Sequence, residues 1–133
     1  MKVIEEVVSS NRIASSSYDM EPLLAYSRQG KASQAVIDAI AKAARMQSEI
    51  NSLQRTINEL DRERDEIVRD QSRIRDNLGR AERGSTLYNR YMQKLTEQED
   101  RLEQILTLRD DSQKQLEQVQ KALNDYVRDL DVE

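Results

Sequence analysis

The sequence has no cysteine, histidine, tryptophan or phenylalanine, and only one proline and three glycines among its 133 residues. Each absence removes a class of function. Without Cys there is no disulfide, no thiolate nucleophile and no structural zinc site of the common kinds. Without His, the Ser–His–Asp and Cys–His arrangements cannot be assembled, and any metal would need an all-oxygen ligand set. Without Phe and Trp, a core must be built from Leu, Ile, Val, Ala and Met, because the aromatic content of 4% is tyrosine alone.

What remains offers no substitute chemistry. Asp110 and Asp111 are neighbours on a predicted helix and so point in different directions. The GRAERG segment lacks the glycine spacing and the Lys–Ser/Thr pair of a phosphate-cradling loop. The expectation is a chain that is not an enzyme, with no catalytic, cofactor-binding or metal-ligating residue.

A basic run is also missing. Residues 61–83 carry seven Arg against seven acids, and residues 109–133 carry four basic side chains against seven acids. With a net charge of -4, nucleic-acid binding is disfavoured, since a phosphate backbone calls for a clustered basic face. No stretch approaches the roughly 18 apolar residues of a membrane span. In MKVIEEVV, Glu5 and Glu6 interrupt any signal-peptide core.

Charged residues instead make up 35% of the chain and mean hydropathy is -0.86, values that a disordered chain would share. The order of the apolar residues decides for a folded one. They recur at helical spacing over most of the length. The expected class is all-α: a long antiparallel two-helix coiled-coil hairpin, with a short packing helix at its base and a β-leaning N-terminal stub.

In chain order, residues 1–18 read as an extended or strand-like stub carrying Val3, Ile4, Val7, Val8 and Ile13. Residues 19–133 form the hairpin. A short helix is expected over about 21–29, with Pro22 in its first turn and Gly30 as its stop. A long helix should span about 33–80, a turn about 79–85 and a second long helix about 86–129.

In the first long helix one seam position gives Ala43, Ile50, Ile57, Arg64, Gln71 and Leu78, and the other gives Met46, Leu53, Leu60, Ile67 and Ile74. The second helix supplies Tyr88, Leu95, Leu102, Arg109, Leu116, Leu123 and Leu130, with Tyr91, Gln98, Ile105, Ser112, Val119 and Tyr126. Gly79 and Gly84 bracket the turn, and Ser85 or Thr86 suits an N-cap.

Two registers are open. A turn centred near Gly84–Ser85 sets Gln71 against Gln98, Ile67 against Leu102 and Ile50 against Val119, and the two amides can hydrogen-bond each other. A turn half a heptad earlier sets Arg64 against Gln98. Arg64 and Arg109 lay their stems over the seam with their heads turned outward. Charge pairs are expected within each helix, as in Asp65 with Arg69, Glu97 with Arg101, Asp110 with Lys114 and Glu117 with Lys121.

The apolar stripe widens at the open end through Val36, Ile37, Ile40, Ala44, Leu123, Val127 and Leu130, where Leu23, Leu24 and Tyr26 of the short helix would cover it. At the turn, Tyr88 and Tyr91 read as seam residues with hydroxyls at water, or else as part of a partner-binding tip with Arg80, Arg83 and Arg90.

The segments DQSRIRDNL (70–78) and LYNRYMQKLTEQEDRLE (87–103), preceded by QGKASQAVIDAIAKA, carry a likeness to a family. The chain resembles the C-terminal coiled-coil region of large bacterial proteins of unknown function, some described as mucoidy-inhibitor-like. The resemblance covers nearly the whole chain. It implies a segment of a larger protein in which a β-rich domain precedes the helices, and it brings no catalytic residue. The resulting expectation is a structural arm or tether that meets a protein partner. The alternative is a homo-oligomerisation module, motivated by Val68, Leu106, Leu108 and Val127 beside the seam, in which two hairpins form a four-helix bundle.

Overall fold

The computed structural model describes residues 33–131. They form two helices, α1 (Gln34–Leu78) and α2 (Thr86–Asp131), and no strand occurs among them. The expected stub over 1–18 and short helix over about 21–29, and with them the cover offered by Leu23, Leu24 and Tyr26, lie outside the described residues.

Local chemistry sets both helix starts. Ser33 caps α1, its Oγ accepting from Val36 N–H at 3.3 Å while its carbonyl accepts from Ile37 N–H at 3.0 Å. Ser85 repeats the arrangement for α2, with Tyr88 N–H on Oγ at 3.1 Å and Asn89 N–H on the carbonyl at 3.0 Å.

Between the helices the backbone tightens before it reverses. Gly79 N–H still reaches Arg75 O at 3.0 Å, whereas Arg80 and Ala81 donate three residues back, to Asn77 O and Leu78 O. Gly84 then adopts φ +80°, at the third position of a turn that Ser85 N–H closes on Glu82 O at 3.0 Å. That left-handed conformation is the reason a glycine stands there.

The chain divides into two compact units. In the one that includes α1 up to Gln54 and α2 from Gln115, Ala39, Ile40, Ala43, Ile50, Leu116, Leu123 and Val127 are buried. Lys42 Nζ sits 4.5 Å from the ring centroid of Tyr126, joining the two helices by a cation–π contact. Val127 is only 1% exposed, so it belongs to this core and not to a second stripe beside the seam. Helix periodicity places Val127 one turn from Leu123, on the stripe that widens at the open end.

The second unit, Arg55–Lys114, is a helical hairpin whose two arms are the end of α1 and the start of α2. Its buried apolar residues are Ile57, Leu60, Ile74 and Ile105, with Gln71 buried among them. Ile67, Leu78, Leu95 and Leu102 are half-buried along the same face. At roughly 1.5–3 kcal/mol per fully buried large aliphatic, these few residues supply most of the unit's cohesion.

Candidate functional site

Of the seam residues named from the sequence, Arg64 alone is exposed. Ile50, Ile57, Leu60, Gln71, Ile74, Ile105, Leu116 and Leu123 are buried, while Leu53, Ile67, Leu78, Tyr88, Tyr91, Leu95, Gln98, Leu102 and Val119 are half-buried. The polar members are held by acids. Gln71 Nε2 donates to Glu99 Oε1 at 2.8 Å and Gln98 Nε2 donates to Asp70 Oδ2 at 2.7 Å. The two amides therefore do not share a bond as their alignment invited. A carboxylate accepts more strongly than an amide oxygen, and one stands beside each glutamine's partner position. Gln98 Oε1 is left buried without a partner.

Two arginines of α2 tie the arms together. Arg101 holds Glu63 through Nε at 2.6 Å and a second nitrogen at 2.8 Å. Arg109 Nε holds Asp61 Oδ1 at 2.6 Å, and Asp61 also receives Arg64 at 3.2 Å. The hydrogen bond from Arg109 keeps the Asp61 carboxyl below its ordinary value, against the opposing effect of partial desolvation. Arg101 acts likewise on Glu63, and Arg73, with help from Gln98 and Lys94, on Asp70.

The i, i+4 spacing sets Arg101 on Glu97 within its own helix, because only same-helix spacings are visible in one dimension. The observed partner lies 38 residues away. Opposite charges at facing edge positions of the two heptads were the signal that would have found it.

Two surface features stand out in the hairpin unit. The first is a groove of about 270 Å³ lined by Arg64, Val68, Leu102, Ile105, Leu106 and Arg109. Val68 is 50% exposed and Leu106 66%, so its apolar walls meet water. Leu108, 45% exposed, lies outside this groove.

The second feature is the turn. Arg83 and Tyr88 line one hollow of about 410 Å³ together with Arg75, Leu78, Gly79 and Ala81. Arg80 and Tyr91 line another of about 240 Å³ with Asn77, Ala81 and Leu87. Tyr91 Oη accepts from Asn77 Nδ2 at 3.3 Å. Arg90, grouped with Arg80 and Arg83 from the sequence, is exposed and lines neither hollow.

Among the described residues no group of acids is placed to hold a metal ion, and no helix is long and apolar enough to cross a membrane. No protein-family model, curated protein or solved structure matches this chain.

Proposed function

We propose that the chain is a non-catalytic structural arm: an antiparallel two-helix coiled coil, part of a larger protein, that offers its surface to a protein partner. The observation that carries this reading is the apolar groove between Val68 and Leu106, which gathers two of the most exposed aliphatic side chains on one surface. Exposed aliphatics held on well-capped helices are what a binding surface requires, and they contribute little to the hairpin itself. The absence of His and Cys from the sequence supports a role without catalysis. The resemblance to coiled-coil regions that follow a β-rich domain supports the tether.

A photo-reactive amino acid placed at position 106 in the parent protein, in its native cell, tests the reading. Adducts to a different protein are expected from 106 and not from the neighbouring outward position 103. If neither position gave an adduct, or both gave the same unselective set, the arm reading would fail. The second reading, homo-oligomerisation through a four-helix bundle, rests on the same exposed pair together with Leu108. It predicts adducts between two copies of the chain.

A further inference from the structure

We infer that the turn is a docking site for an acidic, extended peptide segment of a partner protein; this rests on the arm reading and gives it a contact point and a chemistry.

Along the arms Arg64, Arg73, Arg101 and Arg109 hold carboxylates of this chain, while Arg45, Arg55, Arg62 and Arg69 stand without an ion pair among the described residues but each has acids close by in sequence or across the seam. At the turn the local charge balance changes. Residues 75–91 carry four arginines against two acids, although the whole chain is net -4. Arg80 and Arg83 make no ion pair among the described residues, and each borders a hollow that a tyrosine also lines.

The two hollows share Ala81 as a wall, and the proposed peptide would cross it from the Arg83 hollow to the Arg80 hollow. A planar guanidinium fork matches a carboxylate in two parallel hydrogen bonds. Tyr91 adds a donor, since its oxygen accepts from Asn77 and its own O–H proton is left to give. Leu87, half exposed on the wall of the second hollow, adds an apolar contact. The complement is therefore a run of Asp or Glu with an aliphatic residue beside it.

Charge and shape favour this occupant over two others. A nucleic acid needs a longer basic stripe than the three uncommitted arginines Arg80, Arg83 and Arg90, interrupted by Glu82. A membrane surface needs more inserted apolar area than Leu87 provides.

The test is a selection from a random peptide library on the full chain, followed by affinity measurement of the enriched peptides. Acidic peptides with an adjacent aliphatic residue should be enriched. Their binding should fall about tenfold in Arg80→Ala/Arg83→Ala and about threefold in the lysine pair, which keeps charge but not the fork. Removing the same charge from the arm, in Arg62→Ala/Arg69→Ala, should change affinity by less than about twofold. Helicity of each variant is checked alongside.

Equal losses from turn and arm substitutions would overturn the inference, as would tighter binding to duplex DNA or to phosphatidylserine vesicles than to any enriched peptide. Enriched peptides that ignore Arg80 and Arg83 but are lost in Val68→Asp/Leu106→Asp would sink the turn site and leave the arm reading standing. Enrichment no better than on bare support would count against both.

Discussion

At the scale of single residues, burial and charge pairing separate side chains that composition treats alike. Ile74 is fully buried, so Ile74→Ala should cost about 2–5 kcal/mol in urea unfolding followed by circular dichroism. Leu106→Ala, at a position 66% exposed, should stay within about 0.5 kcal/mol of the parent. Equal losses at the two sites would mean that Leu106 is covered in solution. The ion pairs give a second prediction, in pH. Asp61, Glu63 and Asp70 hold their protons less tightly when folded than when unfolded. Their contribution is therefore complete above the ordinary carboxylate range and is lost as the pH falls through that range and below it. With no histidine, the melting temperature should be flat between about pH 5.5 and 8 and should drop below about 4. A step near pH 6.5 would contradict this.

At the scale of elements, the caps and the turn decide where each helix begins and ends. Ser85→Ala removes the oxygen that accepts from Tyr88 N–H and should cost about 1 kcal/mol. Gly84→Ala forces a side chain into a left-handed backbone at φ +80° and should cost about 1–2 kcal/mol, although nothing crowds the added methyl. Gly79 has ordinary backbone, and a Cβ there would sit 3.6 Å from the Asp76 carbonyl oxygen in normal contact. Gly79→Ala should accordingly stabilise by about 0.4–1 kcal/mol through the unfolded chain. Thermal melts of the three variants give the order, and a Gly79 variant less stable than the Gly84 variant would reverse the argument. The helices and their hairpin were legible in the sequence because heptad spacing, a proline-free run after Pro22 and a Gly–Ser break all agree. Three things were not. The bonds of Arg101 and Arg109 to Glu63 and Asp61 join residues far apart in sequence. Val127 falls both in the stripe at the open end and beside the seam, and only a neighbour's position decides for the core. The division of Arg80, Arg83 and Arg90 between hollows and open surface depends on the path of the turn.

At the scale of the whole molecule, the question is whether a chain of 15.5 kDa is complete as one copy. The exposed apolar pair at Val68 and Leu106 is small beside the roughly 1,000 Å² that a stable protein interface buries, so we expect a monomer at micromolar concentration. Sedimentation equilibrium checks it. Val68→Asp/Leu106→Asp should leave that mass unchanged, whereas a dimer that this pair of substitutions splits would promote the four-helix assembly. The separation of roles is consistent: buried aliphatics hold the helices together, facing charges align them, and the surface left over is where recognition can be placed.

The facing charges also bear on mechanics. Suppose a pull drew α2 along α1 toward the turn by one heptad, about 10 Å. Arg101 would leave Glu63 and find Asp70, an acid again, but Arg109 would face Val68 in place of Asp61, and Glu99 would face Leu78 in place of Gln71. Two charges would lose their partners, although both Glu99 and Arg109 would stay in contact with water. The facing charges therefore favour the native register of the hairpin unit over a one-heptad slip, by the modest margin of part-exposed pairs, roughly 1 kcal/mol or less each.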